Sequence, residues 1–245
     1  TATITRNIET YYPDTELVYK YSDIKDGVPG EQSLDMAMKA RVDVTNKTLW
    51  AAINSTLDGG DKPVCIEVEM YSTGDDLYID METDGESPGW FRSKQIVASW
   101  NKLVSFENVL TVMEEEDVLS SRNEIYKDRD CYVLVIPVRD IYTIYRTLKN
   151  SYALENQFRY TFELIQSFSD HFIFEIWIER ESHFIIKTVV SMDVEVTPER
   201  VTGMQADLAT YSLRMTTENT NINKSFAIEL PEEVEDAPMI YTINE

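Results

Sequence analysis

Acidic side chains are the residues of this chain that could carry out chemistry. The sequence contains 44 Asp and Glu but only two histidines. In the densest carboxylate cluster, acids at alternate positions and then a glycine match the start of a calcium loop, but the twelfth position is Phe91 where a bidentate glutamate is required. We interpret the cluster as the solvated face of a strand entering a turn, with weak calcium binding as the alternative. Its residues are Asp80, Glu82, Asp84, Gly85 and Glu86.

The two histidines do not form a recognisable catalytic or metal motif. His171 and His183 flank a predicted hairpin and could form half of a metal site across two strands, although polar residues are also ordinary at hairpin ends. The chain contains no Gly-rich phosphate loop, GxSxG elbow, HExxH helix or CxxC pair. We therefore expect no enzyme, metal or cofactor; the enzymatic alternative is a hydrolase that uses the carboxylates Asp80, Glu82 and Asp84.

The two cysteines leave two alternatives open. Cys65 and Cys131 both lie in segments that are predicted to be strands. A disulfide between them would close a loop of about 67 residues and add about 4 kcal/mol of stability. The alternative is two free thiols that pack as small apolar groups.

Charge and hydrophobicity restrict the class of partner. The formal net charge is −22, which repels nucleic acid backbones and anionic membrane surfaces. The hydrophobic fraction of 43% is normal for a globular protein. No apolar run approaches the roughly 18 residues of a membrane span. We expect a chain that does not bind nucleic acid and that can bury a sizeable core.

The longest alternating pattern predicts an antiparallel hairpin between Asp170 and Pro198. Its first strand alternates Phe172, Phe174, Ile176 and Ile178 with residues that include Glu175 and Glu179. After a polar turn at 180–182, the second strand carries Lys187 and several acids on its solvated face. The apolar face of that strand is predicted to carry Phe184, Ile186, Thr188, Val190, Met192, Val194 and Val196.

Other segments predict further strands and three helices. A helix over 14–26 follows from the spacing of Leu17, Val18, Tyr21 and Ile24, and Asp26-Gly27 ends it. Two further helices are predicted over 94–112, with Trp100 in its apolar stripe, and over 140–148. Segment 48–57 fits either a strand or a short helix, and a loop is predicted to end at Asp130. The remaining predicted strands are 34–44, 64–72, 77–84, 131–138, 158–164 and 211–215.

Together these elements predict an α+β fold in a single domain over 1–245. Strands from residue 33 onward form a strongly curved antiparallel sheet, a half-open β-barrel, and about three helices cover its concave face. An acidic tail follows over 231–245. The residues expected to line an apolar cavity between sheet and helices are Met36, Met38, Met70, Ile79, Met81, Ile96, Trp100, Leu103, Phe162, Phe174, Ile176, Val190 and Met192.

Four stretches of this chain resemble the lipoprotein-carrier superfamily, the LolA-like and LppX/LprG-type proteins. They are LDMAMKARVDV at 34–44, VEMYSTGDDLYIDMET at 68–83, SPGWFRS at 87–93 and FEIWIERESHFIIKTVVSMDVEV at 174–196. Two features depart from that family. Ile185-Ile186 replaces the proline that often follows the hairpin tip, and no lipid-modifiable cysteine lies near Thr1.

The resemblance implies a half-open barrel that encloses acyl chains in an exported, often lipid-anchored protein. The expected function is therefore a non-enzymatic protein of the extracellular space or cell envelope that holds a lipid or other hydrophobic ligand in an apolar cavity. A membrane anchor is expected only through residues upstream of Thr1 that have been removed. The alternative from another class is a cell-surface interaction or structural domain whose own side chains fill its core.

Overall fold

The described chain is one antiparallel sheet of eleven strands, in the spatial order β6-β5-β4-β3-β2-β1-β11-β10-β9-β8-β7. The computed structural model describes residues 8–73, 76–93, 118–138, 172–197, 206–234 and 236–239. The strands are β1 Thr10–Lys25, β2 Val28–Asp43, β3 Thr48–Asp58, β4 Val64–Thr73, β5 Asp76–Thr83, β6 Phe91–Ser93, β7 Ser120–Tyr126, β8 Arg129–Val138, β9 Phe172–Glu179, β10 Ile185–Val196 and β11 Leu208–Thr220.

The predicted α+β class is wrong. Within the described ranges there is no α-helix, and the one helical element is a 3₁₀ turn at Glu232–Val234. The predicted helices 94–112 and 140–148 and the predicted strand 158–164 lie outside the described residues. The described part of the chain is therefore a sheet whose edges are β6 and β7.

The segment predicted as helix 14–26 is a strand in the middle of the sheet. Leu17 and Tyr21 fit a helical stripe, but they also fit an alternation in which every second residue faces the same way. In the structure β1 pairs with β2 on one side and β11 on the other over almost its whole length. Val18 and Ile24 consequently face the other side of the sheet, 38% and 40% exposed. Pairing on both edges outweighs the local helical pattern.

Most of the predicted strands are confirmed, and two segments that were not predicted firmly as strands are also strands. The hairpin of β4 and β5, the strand β8 and the hairpin of β9 and β10 are present. Segment 48–57, which fitted either structure, belongs to strand β3. The loop predicted to end at Asp130 contains β7 instead, which pairs with β8 along its length. Because most side chains of β7 are exposed, its sequence is polar and lacks the apolar alternation from which a strand is predicted.

Two hairpins turn through residues with positive φ. Asp26 and Gly27, at φ 52° and 73°, connect β1 to β2, and Lys127 and Asp128, at 48° and 63°, connect β7 to β8. Two consecutive left-handed residues form the type I′ turn whose twist matches antiparallel strands. The Asp-Gly pair that was predicted to end a helix therefore closes a tight hairpin.

A β-bulge at the start of β10 puts Ile185 and Ile186 on the faces opposite to those predicted. The pairing with β9 shifts by one residue between Ile185 and Lys187. As a result Ile185, not Ile186, shares a core cluster with Val190 and Met192, while Ile186 packs on the other side with Val189. One extra residue in a strand reverses the faces of the residues before it. The predicted placement of Ile186 with Val190 is wrong for this reason.

Candidate ligand-binding face

The described residues predicted to line a cavity all lie on one face of the sheet, which we call the methionine face. Directly opposed residues of antiparallel strands share a face. One row across eight strands contains Ile136, Phe174, Val190, Met215, Leu17, Met36, Ser55 and Ile66. A second contains Ile176, Thr188, Thr217, Thr15, Met38, Ile53, Val68 and Met81.

Two shorter rows complete the methionine face. One places Phe91, Ile79 and Met70 side by side on β6, β5 and β4, and continues to the alanines of β3 and β2. The other contains Phe172, Met192, Leu213, Tyr19, Leu34, Leu57 and Val64. The remaining four predicted lining residues, Ile96, Trp100, Leu103 and Phe162, lie outside the described residues.

Burial divides these residues into two groups. Ile176, Val190 and Met192, in β9 and β10, are 0%, 6% and 5% exposed and belong to one core cluster against which Phe174 packs. Met36, Met38, Met70 and Ile79, in β2, β4 and β5, are half-buried, and Met81 is 48% exposed. The half of the face formed by β1–β5 therefore keeps apolar surface accessible to another molecule.

The accessible half is wide enough for a long apolar molecule. The row from Met81 to Thr15 crosses the five strands β5 to β1, about 19 Å at roughly 4.8 Å per strand spacing. Methionine contributes a flexible, polarisable surface that adapts to irregular ligands. Thr15 and Thr217 are polar residues on this apolar face, and their hydroxyls are hydrogen-bonded to each other at 3.0 Å.

Tyrosines and one carboxylate form one end of the methionine face. Tyr21 opposes Tyr211 across β1 and β11, Tyr19 precedes it on the same face, and Asp23 follows it. The Tyr21 hydroxyl donates a hydrogen bond to Asp23 Oδ2 at 3.0 Å. Burial, that hydrogen bond and the negative charge of Asp23 raise the pKa of Tyr21 to about 12. Burial also raises the pKa values of Tyr19 and Tyr211.

Two recesses lie mainly on the opposite face of the sheet. One of about 390 Å³ lies over β1–β4, where Glu16, Ala37 and Glu67 are among its lining residues. Met36 is the one predicted lining residue that it includes. The other, of about 360 Å³, lies beside the β1–β2 turn next to Ile24 and Glu31. Three carboxylates, Glu16, Asp35 and Glu67, line the larger recess, and Asp23 and Glu31 line the smaller one.

The carboxylate cluster at the end of β5 forms turn contacts. The Ser87 hydroxyl donates a hydrogen bond to Asp80 Oδ1, and the Cys65 backbone N–H donates to Asp84 Oδ1 at 3.0 Å. Among the described residues, no three His, Cys, Asp or Glu side chains are grouped so that they could hold a metal ion. His183 is exposed at the tip of the β9–β10 hairpin with φ 60°, whereas His171 lies outside the described residues.

The two cysteines are free, so the predicted alternative of a disulfide is not the one present in this structure. Cys65 is exposed on β4, and Cys131 is 1% exposed on β8. Burial raises the pKa of the Cys131 thiol. Cys131 packs with Val133, Trp177 and Val189 on the face opposite the methionine face.

The opposite face carries an aromatic row that sequence reasoning missed. Arg41, Trp50, Tyr71, Tyr78 and Arg92 oppose one another on β2–β6. The Arg41 guanidinium lies 5.1 Å from the centre of the Trp50 ring, and that of Arg92 lies 5.7 Å from the Tyr78 ring. In the sequence, this row could have been recognised because each strand from β2 to β6 has an aromatic residue or an arginine at one position of its solvated face.

The C-terminal segment covers this aromatic row. Val234 is 1% exposed and packs with Tyr71 and Tyr78. The Arg92 backbone N–H donates a hydrogen bond to the Pro238 carbonyl at 2.9 Å. The segment predicted to be an acidic tail therefore contributes apolar side chains to a second core on the opposite face.

Comparison with known proteins gives a family and two distant structural likenesses. The family DUF6612, described as a family of unknown function, matches residues 5–238. A DUF1329 family protein from Desulfovibrio piger is 13% identical, with 92% of this chain and 90% of that chain covered and a TM-score of 0.22. A β-barrel-like protein of the domain of unknown function DUF1849 from Brucella abortus is 12% identical, with 85% and 98% covered and a TM-score of 0.27.

These likenesses set the limits of what can be inferred from other proteins. TM-scores of 0.22 and 0.27 are too low to carry an argument about function. No curated protein matches this chain. No helix in the described part of the chain is long and apolar enough to cross a membrane. The resemblance to lipoprotein carriers consequently stays a prediction.

Proposed function

We propose that this chain, which belongs to the DUF6612 family of unknown function, is a non-enzymatic protein that binds a lipid or other hydrophobic molecule on its methionine face. The observation that carries the proposal is the accessible apolar surface of β1–β5, where Met36, Met38, Met70 and Met81 share a face without being fully buried. An accessible apolar surface of this continuity is typical of binding sites.

The expected affinity follows from the geometry of an open face. Full burial of a methylene group gains about 0.8 kcal/mol, and a chain lying on a surface buries about half of each group. A sixteen-carbon chain would then gain about 6 kcal/mol, which corresponds to a dissociation constant on the order of 50 µM before other costs. Binding assays should therefore span the micromolar range.

One observation favours a second candidate, a structural or interaction domain with a self-filled core. Ile176, Val190 and Met192, three of the residues proposed to contact ligand, are almost fully buried among neighbouring side chains. If the accessible methionines were covered by a partner protein instead of a ligand, the same face would serve association. The two candidates differ in whether purified protein carries a small hydrophobic molecule.

Extraction of the native protein separates these candidates. Protein purified from its own host without detergent is extracted with organic solvent, and the extract is analysed by mass spectrometry. We expect one class of lipid or hydrophobe to be enriched over a mock purification, in less than an equimolar ratio, because a ligand held at about 50 µM partly dissociates during purification. A clean extract, together with no saturable binding of a fluorescent hydrophobe, would support the self-filled domain instead.

A matched pair of variants tests which face binds. Met38 faces its β1 and β3 partners Thr15 and Ile53 on the methionine face, whereas the adjacent Ala37 is exposed on the opposite face, beside the larger recess. We expect Met38→Glu to weaken hydrophobe binding about tenfold or more, because the ligand would contact a charge. Ala37→Glu should bind normally. The reverse result would place binding in the recess on the opposite face.

The proposal also includes export to the extracellular space or cell envelope. It rests on the resemblance to lipoprotein carriers given by the stretches 34–44 and 174–196. Fractionation of cells that produce the full-length protein, with detection by an antibody, tests it directly. Recovery in the cytoplasm alone would contradict this part of the proposal and leave hydrophobe binding to be judged separately.

A further inference from the structure

The methionine face changes character at the end of β1 that leads into the β1–β2 turn. On this face of β1, Thr15 pairs with Thr217, and Leu17 is apolar. The aromatic residues Tyr19 and Tyr21 follow, and then the acidic Asp23. Tyr19, Tyr21 and Tyr211 are half-buried, and so is Asp23. The strand from Thr15 to Tyr21 is about 20 Å long at roughly 3.3 Å per residue. One end of an elongated ligand on this face would therefore meet three phenol rings and a carboxylate.

The local backbone makes room for this carboxylate. Gly30 opposes Asp23 on β2, and a Cβ atom at Gly30 would lie 2.3 Å from Asp23 Oδ1. The carboxylate thus occupies space that any side chain at position 30 would take. Its other oxygen accepts the hydrogen bond from Tyr21, whose ring centre lies 5.0 Å from that of Tyr211 at an interplanar angle of 47°. The rings and the carboxylate form one connected group.

The charge at this end of the face is negative. Asp23 is the charged group among these residues, and its negative charge contributes to raising the pKa values of Tyr21 and Tyr211. Glu31 follows Gly30 in β2. Lys20, between Tyr19 and Tyr21, is exposed on the opposite face of the sheet, and Lys25 is exposed at the turn. An anionic head group would be repelled here, as it would by a chain of net charge −22.

We infer that Tyr19, Tyr21, Tyr211 and Asp23 bind the cationic head group, an ammonium or quaternary ammonium, of an amphiphile whose apolar chain lies along the methionine face. Aromatic π-faces attract cations, and quaternary ammonium groups are recognised by aromatic side chains in this way. Asp23 supplies the full opposite charge. The inference rests on the proposed function, because it assigns the head group of the same ligand.

Two amphiphiles with the same twelve-carbon chain test the head group. Dodecyltrimethylammonium and the neutral dodecyl maltoside are titrated into the full chain by calorimetry, each below its micelle-forming concentration and at physiological ionic strength. We expect the ammonium compound to bind about tenfold more tightly. If neither compound binds, the proposed function itself is overturned. If both bind equally, only the head-group assignment is overturned.

Variants assign the preference to these residues. Asp23→Asn preserves shape and removes the charge, and the double variant Tyr21→Leu with Tyr211→Leu removes two π-faces. Each should reduce the preference for ammonium to about twofold or less. Tyr21→Phe keeps the π-face and should retain most of the preference.

The control is Asp193→Asn, an exposed carboxylate on the opposite face of β10. It removes one negative charge from the same protein and should leave the preference unchanged. Equal losses in Asp23→Asn and Asp193→Asn would show a general attraction of cations to an acidic protein and would overturn the site.

Discussion

Two regions of one sheet use apolar residues differently. In β8–β10 fully buried residues occur on both faces: Ile136 and Ile176 are 0% exposed on the methionine face, and Val133 and Val189 are 0% and 1% exposed on the other. In β1–β5 the methionine face is buried at one end, where Val42 and Ala51 are each 2% exposed, and half-buried over Met36 and Met38. The opposite face carries Glu67 and other charges. The first region resembles the interior of a domain and the second a binding surface. The sheet therefore concentrates stability at one side and accessible apolar area at the other.

The hydrogen-bonding groups follow the same division. In the buried region Trp177 donates from Nε1 to Glu124 Oε1 at 3.1 Å, and the Lys187 ammonium lies 4.7 Å from the Trp177 ring centre. Asn219 donates from Nδ2 to the Ile185 carbonyl at 3.1 Å. Buried polar groups with partners fix one arrangement of the strands. This region should hold its geometry whether or not a ligand is present.

The largest expected difference between the regions is the effect of a core truncation. Ile176→Ala should lower the free energy of unfolding by about 3 kcal/mol, because it leaves a cavity in a fully buried site. The same change at the half-buried Ile79 should cost about 1 kcal/mol. Urea unfolding followed by circular dichroism measures both. Equal costs would contradict the division of the sheet.

Thiol modification compares the two regions chemically. Cys65 is exposed and Cys131 is buried, with its pKa raised by burial. The thiolate is the reactive form, so at pH 8 we expect Cys65 to react with iodoacetamide about tenfold or more faster than Cys131. Peptide mass spectrometry assigns the sites, and unfolded protein, in which both should react alike, is the control.

Methionine oxidation sharpens the comparison at the proposed ligand face. Met81 is 48% exposed and Met192 is 5% exposed, so peroxide should oxidise Met81 several-fold faster. A bound hydrophobe should protect Met36, Met38 and Met81, and leave the rate at Met192 unchanged. Mass spectrometry with and without ligand gives the rates. Protection of none of the accessible methionines would contradict binding on this face.

The smallest expected effect is the pH dependence that Glu124 contributes. The hydrogen bond from Trp177 and the charge of Arg122 lower the pKa of Glu124. A carboxyl whose pKa is lower in the folded state stabilises the fold above its unfolded pKa and loses that contribution as pH falls through the folded pKa. Glu124 is partly exposed, so Glu124→Gln should cost only about 0.5 kcal/mol at neutral pH. The cost should vanish in acid.

That pH dependence is measured by urea unfolding at several pH values. Glu175→Gln is the comparison, because Glu175 also pairs with Arg122, at 3.2 Å, but receives no indole hydrogen bond. A cost for Glu124→Gln that persists below the carboxyl range would show that packing, and not charge, is lost.

Strands with strict alternation could be predicted from the sequence, whereas β1 could not. Met36, Met38, Ile79 and Met81 alternate with charged residues, an alanine and a tyrosine, and that alternation indicated the face of each side chain before any pairing was known. In β1 the order Leu17, Val18, Tyr21 satisfies helical and extended spacing equally. Hydrogen bonds to β2 and β11 on both edges decide between them, and those partners are distant in the sequence.

The candidate site was likewise predictable in part. The chemical character of the methionine face could be predicted from the alternating residues, because successive side chains of a strand point to opposite faces. The division between buried Ile176 and accessible Met81 could not, because burial depends on what packs over each strand. The sequence also did not predict the bulge at Ile185, the contact of Tyr21 with Tyr211, or the covering of Tyr78 by the C-terminal segment. By itself, the sequence determined alternating faces and an acidic exterior; the tertiary structure alone decided which strands are neighbours, because strand pairing brings together residues that no local pattern connects.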